Sequence, residues 1–145
     1  MYRSLMKEKI RKIIGIESNA IQSIPVTDSF EKAIGIIYSR VHQMKGKLVT
    51  SGMGKAGQIA DNIATTFSST GTPAVFLHPS EAQHGDLGIL QEHDVLFAIS
   101  NSGKTREIVE LIDLKNNLYP GVPVIVVTGN SNSPLAEKAD CTILT

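Results

Sequence analysis

Glycine, serine and lysine residues cluster in two short loops that could bind a phosphate group. The first is Gly52-Met-Gly54-Lys55-Ala-Gly57, and the second is Ser100-Asn-Ser-Gly103-Lys104-Thr105. Glycine lets the backbone approach an anion at a helix start, where unpaired N–H groups and the helix dipole favour negative charge. The second loop adds hydroxyl groups, which suit a phosphate monoester. Either loop alone is equally well explained as a polar turn.

Neighbouring residues disfavour two nucleotide-binding interpretations. The first loop matches the dinucleotide pattern G-x-G-x-x-G, which also needs an acidic residue after the second strand to bind the ribose. That strand ends Phe76-Leu77-His78-Pro79, and the first acid is Glu81. The second loop contains Gly-Lys-Thr, but a nucleotide P-loop needs an earlier glycine where this sequence has Ala98. Together the loops favour a small phosphorylated ligand.

A third stretch collects groups that can transfer protons or bind a metal ion. Residues 77–86 contain two histidines, two acids and a glutamine. His78 and His84 could bind a metal, act as acid or base, or hydrogen-bond within a loop. Beside a phosphate crevice we favour a functional role for this stretch. His42, on a helix, and His93, before a strand, are predicted to be structural.

The segments around these loops alternate between helices and short apolar strands. Strands are predicted at 47–51, 74–77, 94–100, 122–128 and 141–144. Helices are predicted at 1–24, from 28 to 46, from the first glycine loop to about 70, at 105–118, and briefly after 133. Residues 79–90 are predicted to be a loop with some helix. This alternation predicts a three-layer, doubly wound (flavodoxin-like) five-stranded parallel sheet of order 2-1-3-4-5. In that order the two glycine loops flank the crevice where such folds bind ligands.

The two N-terminal helices carry distinct signals. Residues 1–24 have apolar residues near helical spacing and predict a partly solvated packing helix, with a membrane-surface helix as the less favoured alternative. Asp28-Ser-Phe-Glu31 fits a capping box that opens the second helix. Its apolar face is predicted to hold Phe30, Ile34, Ile37, Val41 and Met44, and Gly46 is predicted to end it.

Length and composition predict one cytoplasmic domain that binds neither nucleic acid nor membrane. The chain has 145 residues, with 14 basic side chains balanced by 14 acidic ones. No apolar run approaches the ~18 residues of a membrane span, and the N-terminal segment lacks the apolar core of a signal peptide. The single cysteine, Cys141, excludes an internal disulfide and is predicted to be a small core residue.

The stretches GMGKAG, HPSEAQHGDLG and SNSGKTRE together resemble the SIS (sugar isomerase) domain, and more closely its arabinose 5-phosphate isomerases, over about residues 25–145. Residues 1–24 would then be an N-terminal helical arm. The resemblance implies an isomerase that converts D-ribulose 5-phosphate to D-arabinose 5-phosphate through an enediol(ate), with no required cofactor. The pathway implied is 3-deoxy-D-manno-octulosonate (KDO) synthesis for lipopolysaccharide or capsule. A non-catalytic phosphosugar-binding SIS module is the alternative.

The resemblance also implies roles for individual residues. Lys55 corresponds to the family's active-site lysine and would stabilise developing charge. His84 would line the substrate site as an acid or base, and Glu107 would lie near the sugar. His78 matches a histidine linked to inhibitory zinc binding. The implied substrate- and phosphate-binding residues are Ser51, Gly52, Gly54, Gly71, Thr72, Ser100, Asn101, Ser102 and Thr105.

The family pattern continues past the fifth strand with a long helix, a further glutamate and a late histidine often proposed as the general base. Longer relatives add a pair of CBS domains. All of these would follow Thr145, so we expect a truncated family member. Right-handed crossovers would also leave part of one sheet face, over strands three to five, without a covering helix. We expect a second subunit, in a homodimer or homotetramer with sites at its interfaces, or a C-terminal segment to cover it.

Overall fold

A five-stranded parallel sheet in the order β2-β1-β3-β4-β5, with helices on both faces, organises the chain and confirms the predicted fold class. The computed structural model describes the backbone of residues 2–145 and the side chains from Leu5 onward. The strands are β1 (Leu48–Gly52), β2 (Ala74–Phe76), β3 (Val95–Ile99), β4 (Val124–Thr128) and β5 (Cys141–Leu144). The helices are α1 (Tyr2–Gln22), α2 (Asp28–Ile37), α3 (Gly54–Ser69), α4 (Pro79–Ala82), α5 (Arg106–Leu118) and α6 (Pro134–Lys138). A π-helical turn (Tyr38–Gln43) continues α2, and a 3-10 turn (Asp86–Ile89) follows α4.

Each face of the sheet has its own hydrophobic core. On one face, Leu96 and Val126 pack with Leu111 of α5. On the other, Leu48 and Ile125 pack with side chains of α2 and α3. Both faces of β1 and β3 are covered, and all five residues of each strand are buried. Strands covered on both sides need apolar side chains at successive positions, which explains their continuous apolar sequences.

Helix α2 covers most of the face that the sequence suggested would be bare. It packs against β5, where the Cys141 Sγ lies 3.2 Å from the Ser29 carbonyl oxygen. Cys141 is 4% exposed, which confirms its prediction as a core residue, and burial raises the pKa of its thiol. Ile99 and Ile143, near the carboxyl ends of their strands, are 9% and 8% exposed. The expected gap over β3 to β5 is therefore small, and it lies at the carboxyl ends of these strands.

The start of α2 differs from the predicted capping box. Thr27, not Asp28, is the N-cap residue, and neither makes a side-chain capping bond. The Thr27 hydroxyl pairs instead with the Ser29 hydroxyl at 2.8 Å. Asp28 lies in the first turn, where its charge still favours the positive end of the helix dipole.

The buried face of α2 agrees with the predicted one at Phe30, Ile37 and Val41, which belong to the core on that side of the sheet, and differs at Ile34 and Met44. Ala33 and Val41 are buried, whereas Ile34 and Met44 are 66% and 42% exposed. The helix widens into the π turn at Tyr38, and this changes the angular position of every later side chain. A uniform period of 3.6 residues therefore misplaces Met44, which follows this turn, whereas the turn does not explain the exposure of Ile34, which precedes it.

Helix α1 does not pack on the domain as predicted. Every described side chain from Leu5 to Gln22 is exposed, and Ile13 and Ile14 are 55% and 59% exposed. Among the side chains from Leu5 onward, the helix therefore leaves its apolar residues exposed rather than packed on the domain. Within the described residues, no helix combines the length and apolarity required to cross a membrane.

Candidate functional site

The carboxyl ends of three neighbouring strands form one edge of the sheet and bring the predicted loops together. Strand β1 lies between β2 and β3, with Gly52 opposite Ile99 in the register. The glycine loops after β1 and β3 are therefore adjacent. The His78–Asp86 stretch follows β2 at the same edge, because the Leu77 N–H donates to the Thr50 carbonyl at 2.8 Å.

The first glycine loop turns β1 directly into α3. Gly54 has a φ of +56°, a backbone conformation that glycine adopts without strain. A Cβ on Gly57 would lie 2.6 Å from the Gly52 carbonyl oxygen, so a side chain there would push the helix off the strand. Lys55 is the second residue of α3, is exposed, and has no ion pair among the described residues. Lys55 therefore offers an exposed cationic side chain in the first turn of α3, at this edge of the sheet.

The second glycine loop is held by hydrogen bonds within it. Gly103 has a φ of +64°, and its N–H donates to the carbonyl and the hydroxyl oxygen of Ser100 at 3.0 and 3.2 Å. The Ser100 and Thr105 hydroxyls lie 2.7 Å apart. Thr105 is the N-cap of α5, so the loop ends at a second helix N-terminus that faces the same edge.

Two of the predicted phosphate-binding serines are buried and hold the loops in place. Ser51 is fully buried, and its hydroxyl donates to the Leu77 carbonyl at 2.7 Å, which joins β1 to the end of β2. Ser100 is 2% exposed. Ser102 is exposed and Thr105 is half-buried, so these two hydroxyls of the predicted set reach the surface. The exposed Asn101 lies between them and Ser100 along the loop.

The histidine-containing stretch is fastened to α5. The Gln83 Nε2 donates to the Glu110 Oε2 at 2.7 Å, and the Arg106 Nε donates to the Glu110 Oε1 at 2.6 Å. Hydrogen bonds from Arg106 and Gln83 lower the pKa of Glu110, and Glu110 in turn raises the pKa of Arg106. Gln83 precedes His84, and Glu110 lies one helical turn after Glu107. The contact therefore brings the segments that carry His84 and Glu107 together.

The three side chains with predicted catalytic roles come from three elements around this edge. Lys55 lies on α3, His84 follows α4, and Glu107 lies in the first turn of α5. His84 is exposed and Glu107 is half-buried. In the described part of the chain, neither side chain has a hydrogen-bond partner, so both are free to contact a ligand.

Gly71 and Thr72 are not brought to this edge. They precede β2 at the amino edge of the sheet, where the Pro73 carbonyl accepts from the Leu48 N–H at 2.8 Å. A five-residue strand, roughly 15 Å long, separates the two edges. The Thr72 hydroxyl lies 3.0 Å from the Nε2 of His42. Within one chain these residues are thus remote from the glycine loops.

A resident zinc site does not fit the residues around His78. The exposed His78 ring stands edge-on to Phe76, with a centroid separation of 6.3 Å. His78 and Asp86 line a shallow cleft of about 410 Å³. Among the residues that the structure describes, no group of three or more potential metal-ligating side chains is found. Inhibitory zinc at His78 therefore stays a prediction, and it would need ligands from elsewhere.

Sequence reasoning missed two sets of residues that organise the site. One is the Gln83–Glu110–Arg106 network, for which the spacing of Arg106 and Glu110 by one helical turn was a usable signal. The other is the segment from Thr128 to Ser133, whose Thr-Gly-Asn-Ser-Asn-Ser sequence at the end of a strand differs in composition from the second glycine loop only by a second Asn in place of Lys. This segment packs behind that loop.

The fold and this edge define the class: a doubly wound α/β domain with two glycine loops and two helix N-termini at its ligand-binding edge. The sequence model of the SIS domain matches residues 42–145, and the chain belongs to that family. Arabinose 5-phosphate isomerase KdsD of Pseudomonas aeruginosa is 44% identical over 132 residues, 90% of this chain and 39% of that protein. KdsD of Escherichia coli K12 is 52% identical over 96 residues, 66% of this chain and 29% of that protein. The chain spans about two fifths or less of these curated relatives.

Solved structures share the fold closely. A Bacteroides fragilis protein described as a phosphosugar isomerase involved in capsule formation is 64% identical, with a TM-score of 0.95 over 96% of this chain and 72% of that one. An Escherichia coli CFT073 protein in complex with arabinose 5-phosphate is 35% identical, with a TM-score of 0.86 over 99% of this chain and 74% of that one. These similarities confirm the recognised family and a sugar-phosphate isomerase relationship.

Proposed function

We propose that this chain is the sugar-phosphate-binding domain of an arabinose 5-phosphate isomerase, which interconverts D-ribulose 5-phosphate and D-arabinose 5-phosphate in KDO synthesis. The observation that carries the proposal is the register of Gly52 with Ile99, which sets two phosphate-type loops side by side next to Lys55 and Glu107. The names of the most similar curated relatives support the substrate.

The reaction needs a phosphate anchor and a proton acceptor. The amide groups and the Ser102 and Thr105 hydroxyls of the second loop would hold the phosphate. A base removes a proton from C1 of the ketose, and the electron pair forms the C1=C2 double bond of the enediolate. The proton then returns to C2, and the hydroxyl proton moves from the C1 oxygen to the C2 oxygen, which leaves the aldehyde at C1 and a hydroxyl at C2. No redox cofactor is needed, because the oxidation of C1 and the reduction of C2 balance within the sugar.

Three side chains have complementary roles in this proposal. His84 and Glu107 are the acid and base candidates, since both are free and flank the same edge. Lys55 would stabilise the enediolate oxygen, because it is a cation in the first turn of α3, where the helix dipole also favours negative charge.

A second copy of the chain would complete the site. Gly71 and Thr72 lie at the opposite edge of the sheet, so they can contact the substrate only from another subunit. The exposed apolar side chains of α1, including Ile10 and Ile13 at 50% and 55% exposure, support burial in a homodimer or homotetramer. Sedimentation of the purified chain tests this: a monomer at micromolar concentration would contradict it.

Solvent deuterium exchange into ribulose 5-phosphate tests the chemistry directly. We expect NMR to show deuterium entering C1 of the ketose, together with formation of the aldose, in this chain or in a version extended past Thr145. Lys55→Ala should lower the rate at least about 100-fold. Lys32→Ala, which removes an exposed lysine on α2, is the matched control. Binding of the sugar phosphate without exchange or turnover in either version would instead support a non-catalytic phosphosugar-binding module.

A further inference from the structure

The segment from Thr128 to Leu135, between β4 and the start of α6, contacts three consecutive carbonyl groups of the second glycine loop. The Asn101 carbonyl accepts from the Gly129 N–H at 3.0 Å and from the Thr128 hydroxyl at 3.1 Å. The Ser102 carbonyl accepts from the Asn130 side-chain amide at 3.3 Å. The Gly103 carbonyl accepts from the Leu135 N–H at 3.2 Å.

These bonds determine where the N–H groups of the loop point. A trans peptide is planar, so the N–H of one residue points opposite to the carbonyl of the residue before it. Because the carbonyls of Asn101 and Gly103 are directed at the β4–α6 segment, the N–H groups of Ser102 and Lys104 face the other side. The Lys104 N–H makes a 3.2 Å bond to the Ser102 hydroxyl. Within the described residues, the Ser102 N–H has no protein acceptor.

Packing reinforces the same contact. Ser133 is fully buried, and a Cβ on Gly103 would collide with its hydroxyl oxygen. Thr128 is 1% exposed, and its hydroxyl oxygen also accepts from the Asn130 N–H at 3.2 Å. The Thr128 hydroxyl therefore bonds both to the Asn101 carbonyl of the glycine loop and to the Asn130 N–H of its own segment, and so links the two.

We infer that Thr128 and Asn130 are positioning residues for phosphate binding: they hold the carbonyls of Asn101 and Ser102 away from the ligand. Through the Asn101–Ser102 peptide, Thr128 also pre-orients the unbonded Ser102 N–H toward the ligand. The inference rests on the proposed function, because it assumes that the second glycine loop holds the substrate phosphate. A loop ordered before binding loses less conformational entropy when the ligand arrives. Loss of the Thr128 hydroxyl should therefore weaken phosphate binding without removing any ligand contact.

Amide NMR of the full chain, titrated with inorganic phosphate, tests this. We expect saturable shifts at Ser102, Lys104 and Thr105 in the wild-type chain. Thr128→Val, which keeps the shape of the side chain, should raise the phosphate dissociation constant about tenfold. Thr128→Ser, which keeps the hydroxyl, should stay within about twofold of wild type.

The half-buried Asn130 supplies a second variant, in case Thr128→Val does not fold. Asn130→Ala should raise the dissociation constant about threefold. Folded Thr128→Val or Asn130→Ala chains that bind phosphate as tightly as wild type would overturn this inference and leave the proposed site intact. A wild-type chain with no saturable response at these amides would overturn both the inference and the proposed phosphate site.

Discussion

The hydroxyl oxygens of Ser100 and Thr105 lie 2.7 Å apart and close the second glycine loop on itself. Ser100 is buried and already accepts from the Gly103 N–H at 3.2 Å. This arrangement lets Ser100 donate to Thr105 and leaves the hydrogen of the half-buried Thr105 for a ligand oxygen. In the proposed site, a buried serine would therefore act on the phosphate through the hydroxyl that it orients.

Removing the Thr105 hydroxyl should weaken phosphate binding. Thr105→Val keeps the side-chain volume but loses the donor, and we expect the phosphate dissociation constant to rise about tenfold, which corresponds to one hydrogen bond to a charged group. Thr105→Ser should bind nearly as well as wild type. Isothermal titration calorimetry measures both, and equal affinity for the valine variant would rule out the hydroxyl as a ligand.

Removing the Ser51 hydroxyl should mainly lower stability. Its bond to the Leu77 carbonyl is fully buried, so Ser51→Ala leaves an unpaired buried acceptor and should cost about 1–3 kcal/mol. Ser131→Ala, at an exposed serine with no side-chain hydrogen bond among the described residues, should stay within about 0.5 kcal/mol. Urea unfolding measures both values. If the two variants have the same free energy of unfolding, the hydrogen bond from Ser51 to the Leu77 carbonyl does not stabilise the fold.

The buried Lys115 should make stability depend on pH. The Lys115 Nζ donates to the Val122 carbonyl at 2.5 Å, and burial lowers the pKa of the amine, with a smaller opposing effect from Asp140. Because the folded pKa lies below the unfolded value of about 10.4, the charged amine costs stability at neutral pH. That cost disappears as the pH rises through the folded pKa toward the unfolded one.

Lys115→Met isolates this effect. At pH 7 the variant should unfold within about 1 kcal/mol of wild type, because a lost hydrogen bond is offset by the removal of a buried charge. At pH 10 the free energy of unfolding of the wild-type chain should be higher, relative to that of the variant, than at pH 7. Denaturant unfolding at both pH values measures the difference, and a difference that is constant or shrinks with rising pH would contradict the expected sign.

Breaking the Glu110 contacts should loosen the stretch that carries His84. Glu110→Ala removes the acceptor of both Gln83 and Arg106, so amide hydrogen exchange over residues 79–90 should become several-fold faster. Asp113→Ala removes an exposed acid of the same helix that pairs with Lys138 instead, and it should leave this stretch unchanged.

The hydrogen bonds of Gln83 and Arg106 to Glu110 should weaken in acid, when Glu110 becomes protonated. The pKa of Glu110 is lowered, so its contribution is complete above the unfolded value of about 4.3 and is lost as the pH falls through the folded pKa. Exchange over residues 79–90, corrected for intrinsic pH dependence, should therefore rise below about pH 4 in the wild-type chain. In Glu110→Ala the corrected exchange should be insensitive to pH in this range.

Local patterns accounted for the strand order and the positions of the two glycine loops. Five short apolar segments separated by helices allow few arrangements, and Gly52, Gly54 and Gly57 are spaced as a tight strand-to-helix turn requires. Patterns failed at two local features of the second helix. Thr27 displaced Asp28 as the N-cap, and the π turn moved Met44 out of the apolar face.

The sequence by itself determined the fold class, because apolar periodicity and glycine spacing depend on nearby residues in the chain. The motifs GMGKAG, HPSEAQHGDLG and SNSGKTRE indicated the family and, through that resemblance, the candidate residues. Only the tertiary structure decided which of those residues share an edge. It buried Ser51 and Ser100, placed Gly71 and Thr72 at the far end of the strands, and set Thr128 behind the second glycine loop. Hydrogen bonds between residues far apart in sequence depend on strand register and helix rotation, and neither is encoded in any short stretch of the chain.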